Sequence, residues 1–486
     1  MTTIYCKLFT ESMISSKVRA KSGCLRVTKR FITQKCEIGV IFSSRVITPL
    51  HEEHLQLNIG ATHQQYNHLY IVFDGFIPNY KTMCETHGIN TSVHSSAWGL
   101  SRALIASIYM KHGFAHMLLS IKGEYSVLLL DLRDPENPLF YVASDRVGAY
   151  PIYVNGDVLF SNAQFSDSKP MEPGTWELHQ IVKTEPNNTT WKMANKYRYF
   201  SIEKAYSIPF LLSPFQQLIN TFHKELKSMI PENKNVICLL SGGLFSCVMT
   251  IFLSYYIPNL KTVFIGTKQG SRGYYSAMML SERLRTVHTN ILVDEMDFCR
   301  VSGNVISLLQ TTDKYAVRNG CVHYVGASAM NDQFFDEDVT VFLGEGGANA
   351  FVSAEDEEIY QDMFQYEHLF NATSSYLKPT KTDELVRRVH HIYCREFGFS
   401  VRFPYFNSTL QDTFAKYETS RDELVGWLAN YISETYSEYV SYHSPIVSAF
   451  PLGIYYEQKM RQFSQTSEQE YYDAIFAESN KWNEPV

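Results

Sequence analysis

The sequence predicts two domains of different class: an α+β domain over residues 1–203 and an α/β domain with a parallel sheet over residues 215–486. Three observations predict this. The N-terminal half reads as short apolar or alternating strands with a single well-formed helical pattern. From residue 236 onward, strand and helix patterns alternate, which implies parallel strands with crossover helices and a ligand site at the strands' carboxyl ends. Between them, residues 204–214 form a proline-punctuated connector. At 486 residues the chain is long enough for two or three full cores.

In the first half, strands are expected over 4–9, 36–41, 69–73, 126–131, 139–144 and 158–161. The helix spans 98–112, with Leu100, Leu104 and Ile108 at helical spacing and Gly113 placed to end it. The second half opens on an amphipathic helix with Phe215, Leu218, Phe222 and Leu226 on one face. Val236 to Leu240 is then a short run rich in apolar residues, followed by Ser241-Gly242-Gly243 and an apolar helical pattern through Tyr256. That is a buried strand, a tight loop and a helix start. Successive backbone N–H groups at such a loop converge on one point, and the helix dipole favours an anion there. Strands at 262–266, 290–293 and 339–343 and helices at 274–284, 301–310 and 322–331 complete the alternation.

Composition excludes several classes. A hydrophobic content of 45% with 19% charged residues is that of a globular protein. A net charge of -7 leaves no overall electrostatic footprint for nucleic acid or an anionic membrane. The densest basic run, Lys17 to Lys35, reads as a solvated edge or hairpin. No apolar run reaches the ~20 residues of a membrane span, and residues 1–5 lack a signal-peptide core. Nine scattered cysteines without a Cys-x-x-Cys pair suit reduced thiols and no disulfide framework. These features predict a cytoplasmic protein without membrane insertion. No metal site is expected: His51-Glu52-Glu53-His54 lacks zinc-protease spacing, and His390, His391 and Cys394 read as ordinary helix residues. The Tyr-rich C-terminal region is open to two readings, a cover over the site mouth or an interface.

The loop Ser241-Gly242-Gly243-Leu244-Phe245-Ser246 resembles the pyrophosphate loop of ATP-dependent amide ligases, Ser-Gly-Gly-Leu-Asp-Ser. Other landmarks fall in the same order. Phe73-Asp74-Gly75-Phe76, Gly123-Glu124-Tyr125-Ser126, Asp145 to Tyr153, Phe160-Ser161-Asn162 and Glu172-Pro173-Gly174 are similar to segments of class II glutamine amidotransferase domains. Phe264-Ile265-Gly266, Asp313 with Arg318, residues 344–349 and residues 399–407 are similar to segments of asparagine synthetase and β-lactam synthetase. The resemblance runs from Thr2 to about Tyr417 and then fades. It implies an Ntn-type αββα sandwich followed by an adenine nucleotide α-hydrolase-like, PP-loop domain.

It also implies which positions carried chemistry, and many are changed. Where the family has its N-terminal cysteine nucleophile this chain has Thr2. The arginine that holds the glutamine carboxylate is Gln56, and the oxyanion-hole Asn-Gly pair is Asp74-Gly75. In the synthetase half, Phe245, Ala348, Asn349 and Asn407 replace acidic residues, and no lysine lies between Ser444 and Tyr455. Ser241, Gly242, Gly243, Ser246, Gly266, Gly344, Glu345 and Gly346 remain as a vestigial nucleotide or phosphate site. The resemblance so read implies a protein that has lost both chemistries and serves as a structural, assembly or regulatory component of a larger complex, needing no cofactor. Two alternatives stay open: an ATP- and Mg²⁺-dependent amide ligase with a rewired site using Glu345, Asp313 and Arg318, and a nucleotide- or phosphate-sensing module.

Overall fold

The computed structural model describes residues 2–8, 25–33, 35–44, 57–58, 64–94, 96–146, 148–156, 159–162, 168–185, 188–200, 208–209, 212–266, 272–334, 339–345, 389–407, 409–410, 413, 417–418, 426–428, 430–431 and 460–482. The chain forms two compact units, one of Met1–Ser201 with Trp482–Val486 and the other of Ile202–Lys481. No described helix is long and apolar enough to cross a membrane.

The first unit contains strands β1 (Thr2–Leu8), β2 (Leu25–Ile32), β3 (Cys36–Ser44), β4 (Leu69–Phe76), β5 (Glu124–Asp131), β6 (Leu139–Ser144), β7 (Tyr153–Asn155), β8 (Leu159–Ser161), β9 (Lys169–Pro170), β10 (Thr175–Glu185) and β11 (Asn188–Arg198). Its helices are α1 (Tyr80–Thr86), α2 (Ala97–His112) and α3 (Phe114–Ser120). Two antiparallel sheets form, with orders β2-β3-β1-β8-β7-β9 and β11-β10-β6-β5-β4. Strand periodicity explains the layering. In β4 and β5, Val72, Leu128 and Leu130 join Cys6, Leu8, Ile38 and Val40 in one core, while Ile71, Phe73, Val127 and Leu129 face Leu100, Leu104, Ile105 and Ile108 of α2 in another. The described elements thus stack as helix, sheet and sheet. The wholly buried β5 is covered on both faces, which is why its centre, Val127 to Leu130, reads as an unbroken apolar run.

Gly113 ends α2 with φ of +85°. The described end of the basic run is the edge strand β2 and its turn into β3, where Arg30 pairs with Glu37 at 3.6 Å. The β10–β11 hairpin, two strands of 11 residues each, was not legible because its alternation is interrupted by a register shift at Leu178/His179.

The second unit contains β12 (Ile208–Pro209), β13 (Val236–Leu239), β14 (Lys261–Gly266), β15 (Val287–Leu292), β16 (Thr340–Phe342), β17 (Ser400–Arg402) and β18 (Tyr417–Glu418). Its helices are α4 (Leu212–Met229), α5 (Leu244–Ser254), α6 (Arg272–Leu284), α7 (Glu295–Leu309), α8 (Lys314–Gln333) and α9 (Glu468–Trp482), with a π-helix at His391–Glu396. Five strands form a wholly parallel sheet in the order β15-β14-β13-β16-β17. The chain leaves β13 toward β14 on one side and returns to β16 on the other. The crevice at the carboxyl ends of β13 and β16 is therefore the topological switch point, where open α/β sheets bind ligands.

Several boundaries shift from the sequence expectation. Helix α4 begins at Leu212, inside the expected connector, with Pro214 in the first turn, where a missing N–H is tolerated. Asp294 and Asp297 form a capping box that starts α7 six residues before the expected position, and Asp313 caps α8 through Ala316 N at 2.7 Å.

Helix α9 docks on α7 and α8: Arg318 donates to Glu468 from Nε at 2.9 Å and from a terminal nitrogen at 2.5 Å, Gln469 donates to the Thr312 carbonyl at 3.3 Å, and Tyr472 is fully buried. Glu468 is itself almost wholly buried, so replacing it with Gln strands the Arg318 guanidinium beside a neutral group. Breaking a buried ion pair from one side costs about 3–5 kcal/mol. Glu468→Gln should therefore accelerate amide exchange across residues 468–481 while β13 and β14 stay protected; unchanged exchange would refute the ion pair as the anchor of α9.

Candidate functional site

The loop between β13 and α5 stands at the switch point. Leu240 N donates to Val263 O at 2.8 Å, which carries the pairing with β14 one residue past the end of β13. Gly242 then takes φ of +79°, and a Cβ there would sit 2.2 Å from the Gly273 carbonyl oxygen of α6. Only glycine meets both conditions. Gly344, at the end of β16, packs against the other side of the loop: its Cβ would lie 3.2 Å from Ser246 Cα. A strand, a tight glycine turn and a helix start thus follow one another as the sequence predicts, and Gly243 caps α5 without any side-chain hydrogen bond.

The side chains are spent elsewhere. Ser246 Oγ donates to Gly243 O at 2.9 Å, so the Ser241 hydroxyl must supply the proton in its 2.9 Å bond with Ser246 Oγ. Each serine proton is used inside the loop. Phe245 is 7% exposed, and its ring meets Tyr405 edge-on at 5.5 Å. Tyr405 stacks on Phe222 of α4 at 5.0 Å and donates its hydroxyl to the Phe245 carbonyl at 2.7 Å. Position 245 therefore belongs to an apolar seat joining α4, α5 and the turn at Pro404–Phe406.

Asn407 is committed too. Its amide nitrogen donates to Glu225 Oε2 at 3.1 Å, and its carbonyl oxygen accepts from the N–H groups of Thr409 and Leu410. An aspartate here would face the Glu225 carboxylate, whereas asparagine supplies the donor that arrangement needs. Gly266 ends β14 beneath the ring of Phe264, which a Cβ would strike at 2.3 Å. Asp313 and Arg318, expected as residual polar groups of a rewired ligase, are the α8 cap and the α9 anchor described above.

Glu345 is the retained residue with an unusual environment. Desolvation pushes its pKa up to about 7. His323 Nε2 of α8 lies 3.8 Å from Glu345 Oε1, and His323 Nδ1 is 3.3 Å from the buried Tyr393 hydroxyl on the π-helix. Sequence reading missed His323 and Tyr393, since only the fold brings residues 323, 345 and 393 together.

In the first unit, Asp74 is buried on β4 and accepts from Asn162 Nδ2 at 2.6 Å. Gly75 has φ of +132°, its missing Cβ leaving room for the Glu124 carbonyl. Thr2 lies on β1 opposite Phe42, in the other sheet. Asp145, from the next landmark, accepts from the backbone N–H groups of Tyr125, Ala149 and Tyr150, so it organises a turn. Gln56, Gly346, Ala348, Asn349, residues 51–54 and residues 444–455 lie outside the described residues. Among the described residues no group of His, Cys, Asp and Glu is arranged to hold a metal ion, and Cys6, Cys36, Cys84, Cys238, Cys247, Cys299, Cys321 and Cys394 are free thiols.

A parallel α/β sheet with a glycine loop at its switch point makes the second unit an open α/β domain, an architecture that fits the PP-loop class. Residues 221–406 match the family model described as asparagine synthase, and this part of the chain is asparagine synthetase-like. The glutamine-hydrolysing asparagine synthetases of Mesocricetus auratus and Mus musculus are 21% and 22% identical over 316 residues, 58% of this chain and 54% of theirs. The chain spans about half the length of these curated relatives. Among solved structures, an allosteric regulatory enzyme of purine biosynthesis aligns at 15% identity and a TM-score of 0.23, covering 52% of this chain and 66% of its own. The NMN synthetase of Francisella tularensis aligns at 11% identity and a TM-score of 0.22, covering 56% of this chain and 96% of its own. These scores are too low to inform the fold.

The raised pKa of Glu345 has a definite sign. Below about pH 4.5 the carboxyl is protonated folded or unfolded, and the fold carries no penalty. As pH rises toward 7 only the unfolded chain ionises, so stability is lost up to the folded pKa by at most about 3 kcal/mol. Glu345→Gln should flatten the urea-unfolding midpoint of the second unit between pH 5 and 8 relative to the wild type. An equally steep profile in the variant would exclude Glu345 as the source.

Proposed function

We propose that this chain is an asparagine synthetase-like protein whose two ancestral sites no longer catalyse, and that it serves as a structural, assembly or regulatory component of a larger assembly. The reading rests above all on Phe245. Where the resemblance places an acidic partner for metal-pyrophosphate, the chain has an aromatic ring seated on Tyr405, and the flanking serine hydroxyls bond to each other. Neither Ser241, Phe245 nor Asn407 offers a carboxylate to Mg²⁺, so the described loop does not fit a metal-nucleotide complex. At the glutaminase position, Asp74 beside Asn162 supports the same reading. A carboxylate where a neutral donor should stabilise an oxyanion opposes the charge that must develop, and losing one such donor costs on the order of 100 to 1,000-fold in rate.

A second reading, nucleotide or phosphate binding without turnover, is favoured by the α5 N-terminus, whose cap residue Gly243 supplies no side-chain acceptor. The ligase alternative keeps Glu345 but lacks the acidic residues around it. Pyrophosphate release with ATP, Mg²⁺, aspartate and either glutamine or ammonia separates these readings. The expected outcome is release at the level of a protein-free blank. Turnover above it that is abolished by Gly243→Pro would establish the ligase instead.

A further inference from the structure

The parallel sheet of the second unit ends on β15, which pairs only with β14 among the described strands. Edge strands are ordinarily shielded by lysine, proline or a bulge, because their free N–H and C=O groups are a template for another strand. β15, Val-His-Thr-Asn-Ile-Leu, has none of these. Val287 is 55% exposed and Leu292 46%, and Tyr275 and Met279, one turn apart on α6, are exposed as well. Burial lowers the pKa of His288, so it enters no charge at neutral pH.

The direction of the free groups can be read from the ladder. Val287 N donates to Leu260 O and Val293 N to Gly266 O, so the odd-numbered residues serve β14. Backbone groups alternate sides along a strand, and those of His288, Asn290 and Leu292 therefore point away from the sheet.

We propose that β15 pairs antiparallel with β15 of a second copy of this chain, across a twofold axis at Asn290, joining the two parallel sheets into one. In this register His288 meets Leu292 of the second copy and Asn290 meets its own counterpart. All are hydrogen-bonded positions, at which each facing pair exchanges both N–H···O bonds, so every outward group of the strand is used. Centring on Thr289 instead would leave the groups of Leu292 unpaired. The charges at the strand ends are complementary: exposed Arg285 precedes β15 and exposed Asp294 follows it. Antiparallel pairing brings the arginine end of each copy to the acidic end of the other. The contact is isologous and closes at two copies. It does not depend on whether the loop at Ser241 retains chemistry.

Sedimentation of the full chain from about 1 to about 100 µM tests this, with two substitutions. Asn290→Pro removes an outward N–H from each copy and spares the ladder to β14, a position at which an edge strand tolerates proline. Asn290→Lys keeps the backbone and sets two ammonium groups together at the axis. The wild type should be dimeric, and each variant at least tenfold weaker in association with an unchanged near-ultraviolet dichroism spectrum. A wild type that stays monomeric over the range, or a dimer that both substitutions leave intact, would overturn the proposal. If Asn290→Pro unfolds, Asn290→Lys alone decides.

Discussion

The second unit is organised by the seat of Phe245. One side chain, Tyr405, packs its ring against Phe245, stacks on Phe222 and donates its hydroxyl to the carbonyl of the residue its ring touches. Helices α4 and α5 and the Pro404–Phe406 turn, whose Tyr405 lies 160 positions after Phe245, are pinned at the head of the loop. A carboxylate at position 245 could not occupy that seat without losing its hydration, a cost of several kcal/mol unless a cation or donors replaced the water. The apolar ring makes the head of the glycine loop part of the core. Its neighbours fit that arrangement: the serine hydroxyls are satisfied locally, and Asn407 supplies the donor that Glu225 requires.

How much of this was legible in the sequence depended on whether the governing interactions are local. The loop at Ser241–Gly243 was readable because a strand, a glycine turn and a helix start follow one another directly. The strand β5 and the helix α2 were readable for the same reason, their burial being written in an apolar run and a 3.6-residue period. The start of α7 was missed by six residues because a polar capping box sets it, and the β10–β11 hairpin because a register shift breaks its alternation. The partners of the site residues were not legible at all. Arg318 was readable as a landmark of the family resemblance, but its bond to Glu468 spans 150 positions, and nothing near either residue announces it.

Positions that shape the backbone, such as Gly75 and Gly242, meet steric demands that no other residue meets. Polar landmarks of the resemblance serve packing or local hydrogen bonding. Arg318 anchors the C-terminal helix, Asp313 caps α8, and Asp145 gathers three backbone N–H groups. Glu345 is the exception, a carboxyl held near neutrality beside His323 and Tyr393 at the switch point.

The central claim is that the loop no longer accepts a metal-nucleotide complex. Phosphorus NMR of ATP titrated with the protein, with and without Mg²⁺, examines the phosphates directly. The account predicts β- and γ-phosphate resonances that respond to Mg²⁺ as they do in protein-free solution. A protein-dependent shift that requires Mg²⁺, or the growth of AMP and pyrophosphate signals, would contradict it.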